Sequence, residues 1–298
     1  MVDGPDAGDE FADIAAAFRA SADDASGDIG WVRTTDQPRV AGAALAEHAA
    51  RDIPVDPDGP LYGHLAQGLA LGALSAVGAG APWNSLTDVG LPAYMMRIEL
   101  EQTWGVHDSE DWFASMASMI GGQEFVEAEA MLDARSAAVA RGDYRPDDHD
   151  DLWRQWLIDH DYDAEVYEGT RERLAQVNVV DDRLRDCGLL APGARVTTIA
   201  GYVIAWSVRL ARGGVVAGYA PPGEAVHMIM AARDSAARIF GSWTEFAVSC
   251  VAGTLLHHNI GWDELRGSVA TLLSVDHSPW RALPFPLSDL PAVRPDEP

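Results

Sequence analysis

Residues 196–210 read Val-Thr-Thr-Ile-Ala-Gly-Tyr-Val-Ile-Ala-Trp-Ser-Val-Arg-Leu. Val196, Ile199, Val203, Trp206 and Leu210 recur at alternating steps of three and four, which gathers them on one face of an α-helix. The run predicts a long helix with an apolar seam. Gly213-Gly214 is expected to stop it, because glycine tolerates the left-handed turn at a helix C-terminus.

The flanking segments repeat the theme. Pro221-Pro222 suits the first turn of a next helix, whose apolar face is Ala225, Met228, Ile229, Ala232, Ala236 and Ile239. Ser242 and Glu245 have the spacing of a capping box and open a third helix. Trp262-Asp263 opens another, up to Leu273. Upstream, Leu61–Ala79 reads as one Gly/Ala-rich helix, and Pro92–Thr103 as a helix closed by Trp104-Gly105. Asp108 caps the helix holding Trp112 and Met116, and Gly121-Gly122 follows it. Glu124–Arg141 and Glu165–Cys187 are further helices, and Phe11–Ala22 and Arg39–Arg51 are shorter ones. Thr197-Thr198-Ile199 and Val215-Val216 are too short to count as strands. The expected fold is all-α: a compact multi-helix domain, divisible into two helical subdomains at Ala191-Pro192-Gly193.

The expected organisation is a mobile acidic tail over 1–10, an N-terminal helical part over 11–190, and a C-terminal helical part over 191–275. Residues 276–298, which include Pro284, Pro286, Pro291, Pro295 and Pro298, are expected to be an extended Pro-rich tail.

Composition bounds the function. The 298 residues carry 46 acidic and 21 basic side chains, a formal net charge of −25; every basic residue is arginine and none is lysine. A GC-rich genome, a high-salt cytoplasm, and avoidance of lysine-directed modification or a basic partner each account for this balance. Direct binding to nucleic acid is disfavoured, because phosphates would meet a strongly negative field. Cys187 and Cys250 lie far apart without a CxxC spacing, which fits a reducing compartment. The stretch from Leu65 to Pro82 is too short and too weakly hydrophobic for a membrane span. A cytoplasmic protein without membrane contact is expected.

No catalytic constellation is complete. Arg209 and Arg212 sit three apart on one helix and would be neighbours. With Glu224 and His227 they are the candidate polar pocket, an arginine pair able to grip a carboxylate or phosphate. The competing reading is an internal salt-bridge network that fixes helix packing. Glu224-x-x-His227 has the spacing of carboxylate-bridged metal bundles, but those need two such motifs, so no metal and no cofactor are expected. His149 lies among Asp147, Asp148, Asp150 and Asp151, without the glycine and terminal glutamate of a calcium loop. Trp153 and Trp156, beside that run, are the candidate partner-binding aromatics.

The block from Ile204 to Leu256 resembles the bacterial family called domain of unknown function 1266. The residues that carry the resemblance are Ala205-Trp206, Arg209, Ala211-Arg212, Ala217-Gly218-Tyr219, Glu224-Ala225, Ser242-Trp243, Glu245 and Gly253. Leu100-Glu101, Trp104-Gly105-Val106 and Asp108 match upstream, and Ala70–Leu74 is similar to the family's opening helix. The matches span roughly residues 65 to 256. Trp104, Trp206, Tyr219, Trp243 and Glu245 form its structural signature. In that pattern Asp tends to follow the first tryptophan and Arg the late glycine; this chain has Ser207 and Thr254. The resemblance implies no activity, because the family has no assigned biochemistry.

The expected function is therefore non-enzymatic: an acidic protein-binding module, of immunity or antagonist type, with a basic protein as partner. The alternative is an enzyme or small-anion receptor that uses the inter-helix Arg/Glu/His pocket. A purely structural domain is the third possibility.

Overall fold

The computed structural model describes residues 52–120, 126–142, 176–257 and 262–285. Among these residues there is no strand. The helices are α1 (Gly63–Leu71), α2 (Ala73–Ala79), α3 (Ala93–Trp104), α4 (Ser109–Ile120), α5 (Val126–Arg141), α6 (Ala200–Ala217), α7 (Pro222–Ile239), α8 (Trp243–His257), α9 (Trp262–Ser274) and α10 (Pro279–Ala282). A further helical stretch covers residues 176–186. The expected helices before residue 52, the acidic run around His149, Trp153, Trp156, and the chain beyond Phe285 lie outside the described residues.

The seam read from 196–210 belongs to the central element. Helix α6 buries 14 of its 18 residues, so it is enclosed on nearly all sides rather than along one face. It packs against α1, α3, α4, α7 and α8. It begins at Ala200; Val196 and Ile199 are buried in the lead-in.

Glycines let the neighbours approach. A Cβ on Gly201 would lie 2.8 Å from the Phe246 carbonyl oxygen, and one on Gly253 would lie 2.3 Å from Cβ of Tyr202. Helices α6 and α8 therefore touch almost backbone to backbone, a geometry that any larger residue at these two positions would force apart.

Gly213-Gly214 does not stop α6. The helix runs on to Ala217 and ends at Gly218, which adopts a left-handed φ of 81°. Gly213 and Gly214 instead face Met96 and Trp112: a Cβ on Gly214 would collide with the indole, and one on Gly213 would press on the end of Met96. Nor is Leu61–Ala79 one helix, since Gly72 breaks it into α1 and α2. Helix α10 lies inside the segment expected to be extended. Pro279 takes its first position, Ser278 caps it by accepting the Trp280 N–H, and Trp280 is buried.

Several ends are as read. Asp108 accepts the N–H groups of Glu110 and Asp111 at 2.9 and 3.0 Å. Gly105 closes α3 at φ 65°, and Pro222 opens α7. One buried apolar cluster includes Leu184 and Leu190 as well as Val196 and Ile199, side chains from both sides of Ala191-Pro192-Gly193. No single described helix is long and apolar enough to cross a membrane; α7 and α8 pass that test only as a pair bent by 109°.

Candidate functional site

Arg209 leaves α6 toward α3. Its Nε donates to Oε1 of Glu99 at 2.9 Å, and Nη2 donates to the same oxygen. The guanidinium lies over the Trp206 ring, 5.7 Å from its centroid, a favourable cation–π placement. Trp206 packs against Trp104 at 5.3 Å and edge-on to Tyr202 at 6.0 Å. Tyr202 in turn stacks on His257 at 5.4 Å. These aromatic side chains form a row along α6, with the end of α3 on one side and the end of α8 on the other.

Arg212 goes elsewhere. It is 2% exposed, and its Nη2 donates to the carbonyls of Pro82 and Asp88 at 2.7 and 2.6 Å. Its Nε is buried without a partner. Burial, reinforced by the positive charge of Arg209, lowers its pKa to about 10, so it remains a cation at neutral pH.

Glu224 and His227 are not with the arginines. On α7 the buried face belongs to Ala225, Met228, Ile229 and Ala232. That leaves His227 79% exposed, 3.9 Å from Glu224 Oε2. Among the described residues no hydrogen bond or ion pair joins either arginine to Glu224 or His227. The four side chains thus divide into an Arg209–Glu99 pair, a buried Arg212 and a solvent-facing Glu224/His227 edge. No group of three or more His, Cys, Asp or Glu side chains able to hold a metal forms among the described residues.

The remaining signature residues hold elements together. Arg97 donates Nε to the Ala217 carbonyl at 2.8 Å and lies 5.9 Å over the Tyr219 ring, a cation at the C-terminus of α6. Trp243 donates its indole N–H to the Leu283 carbonyl at 3.0 Å and stacks on Trp280 at 5.7 Å. Glu245 gives its N–H to Ser242 Oγ, as in a capping box, while its carboxylate accepts the Gly241 N–H at 2.7 Å, one residue before the N-cap. Both thiols are buried, and burial pushes Cys250 up to about 12.

Three polar contacts have no local signal in the sequence. Arg135 pairs with Asp181 at 2.8 Å and also donates to the Val196 carbonyl; the pair is 3% and 0% exposed. Arg233 donates to Oε1 of Gln67 at 2.9 Å inside the core. Glu129 on α5 bonds the start of α6. Each joins residues at least 46 apart in the chain.

The family model described as "Protein of unknown function (DUF1266)" matches residues 99–285. This chain belongs to the DUF1266 family. No curated protein and no solved structure matches it. The match begins at Glu99, the partner of Arg209, and ends at Phe285, which packs edge-on against Trp243 at 4.8 Å. It therefore starts later and ends later than the span suggested by the motifs, and it leaves α1 and α2 outside. At the two positions where the resemblance implied an Asp and an Arg, the hydroxyls are self-contained. Ser207 and Thr254 donate to the carbonyls of Val203 and Cys250, four residues back on their own helices, each at 2.8 Å. Neither leaves a stranded group.

Proposed function

We propose that this DUF1266 chain is a non-catalytic, cytoplasmic binding protein whose partner is a basic protein, engaged through the outer face of α3. The observation that carries the reading is Tyr94, Met95 and Ile98, which are 65%, 39% and 42% exposed within two turns of one helix. The same helix is braced from behind by Glu99 on Arg209, by Arg97 on Ala217, and by buried Met96 and Leu100. Rigid, uncovered apolar side chains are what interface anchors look like. The exposed Glu101, Asp108 and Glu110 follow in sequence, in a chain of net charge −25. Exposed acidic residues that follow apolar anchors in the chain favour a positively charged partner.

The test is affinity capture with the tagged protein and with Ile98→Asp, at low and high salt. A stoichiometric basic protein held by the parent, released at high salt and lost with Ile98→Asp is the expected result. Binding that ignores both salt and Ile98→Asp overturns the reading.

A second reading, a small-anion receptor, rests on Arg212, a buried cation whose Nη2 donates to two carbonyls and whose Nε has no partner. It weighs less, because Nη2 is already committed to two carbonyls of the 82–88 loop. Thermal stabilisation by phosphate or acetate that is lost in Arg212→Met would favour it.

A further inference from the structure

Ile199 is the N-cap of α6 and has no side-chain oxygen with which to cap it. The cap comes from another helix. Oε1 of Glu129, on α5, accepts the N–H of Ile199 at 2.6 Å and the hydroxyl of Thr198 at 2.9 Å. The Thr198 oxygen accepts the N–H of Ala200 at 3.0 Å. Oε2 of Glu129 is buried and has no partner.

The two protonation states of this carboxyl differ in what they ask of the surroundings. Ionised, Oε2 carries negative charge in a buried place with no donor, and Asp133, one turn along α5, repels it. The α6 side opposes that penalty with the main-chain N–H groups of Ile199 and Ala200 and the positive end of the helix dipole. Protonated, the group leaves an Oε2–H without an acceptor, a smaller cost than a buried bare charge, while Oε1 still accepts from Ile199. Among the described residues Asp133 is the charged side chain that acts on Glu129, and Arg135 further along is committed to Asp181 and Val196.

We propose that Glu129 is a proton-controlled clasp that holds α5 against the start of the central helix and loosens when its carboxyl ionises. Burial outweighs the hydrogen bonds and raises its pKa from 4.5 to about 7. The folded pKa lies above the unfolded one, so the clasp's contribution is complete below the unfolded value and is lost as pH rises through about 7. With those two values, opening becomes about tenfold more favourable between pH 6 and pH 8. Asp133, also raised by burial, adds a slope of the same sign.

The test is amide hydrogen exchange of the full chain from pH 5 to 8.5, corrected for intrinsic exchange, with Glu129→Gln and Asp133→Asn beside the parent. Protection at residues 198–202 falls about tenfold from pH 6 to 8 in the parent. The fall shrinks in Glu129→Gln to whatever slope Asp133 supplies, and its midpoint moves down in Asp133→Asn. Identical profiles for the parent and Glu129→Gln overturn the proposal. Should Glu129→Gln not fold, carboxyl-carbon NMR of the parent decides: a Glu129 midpoint near 7 supports the clasp, and one within the ordinary range for glutamate removes it.

Discussion

Trp112 donates its indole N–H to the main-chain carbonyl of Leu210, 2.9 Å away, and its ring fills the space beside Gly214. A Cβ on Gly214 would stand 2.2 Å from that indole nitrogen. Gly214→Ala therefore both overpacks the core and breaks a buried hydrogen bond. It lowers stability by about 3 kcal/mol in urea unfolding. Gly223→Ala is the control: nothing lies within 4 Å of the added carbon, and it stabilises by up to about 1 kcal/mol.

Arg209 and Glu99 give a double-mutant cycle. The pair is 14% and 24% exposed, so solvent screens it in part. The coupling between Arg209→Ala and Glu99→Ala is about 1 kcal/mol. Arg209→Ala is the costlier single change, because it also uncovers Trp206. A coupling near zero would show that the arginine acts on the ring alone.

Arg212→Met removes the donor to two carbonyls of the 82–88 loop. It costs about 3 kcal/mol, and hydrogen exchange accelerates first in residues 82–90. Arg212→Lys rescues only part of the loss, since an ammonium cannot reproduce the planar fork.

Ser207 separates shape from charge. Its hydroxyl bonds only its own helix, so Ser207→Ala changes stability by less than about 1 kcal/mol. Ser207→Asp places a carboxylate at a 2% exposed position and costs about 3 kcal/mol. Chemical denaturation of both variants checks the contrast.

What was legible in the sequence was whatever acts between near neighbours. The Asp108 cap, the Ser242/Glu245 box, Pro222 at a helix start and Gly105 at a helix end each depend on a few adjacent residues. Gly213-Gly214 misled because glycine serves equally to end a helix and to admit a neighbour, and the residues that decide, Met96 and Trp112, lie about a hundred positions earlier. The candidate pocket failed to assemble for a related reason. Spacing places Arg209 and Arg212 side by side on α6, but it cannot say that one turns to Glu99 and the other to Pro82 and Asp88. The clasp at Glu129 was equally hidden, since an acidic residue on an amphipathic helix reads as a solvated one.

Helices α1 and α2 precede the stretch by which the family is recognised, yet the core is built on them. Trp280 gives its indole N–H to the Ala70 carbonyl at 2.8 Å, and a Cβ on Gly68 would collide with Ile229. The folded unit is thus longer than residues 99–285. A fragment trimmed to residues 99–285 would expose the underside of its own centre, and would behave as an aggregate rather than as a smaller version of the whole.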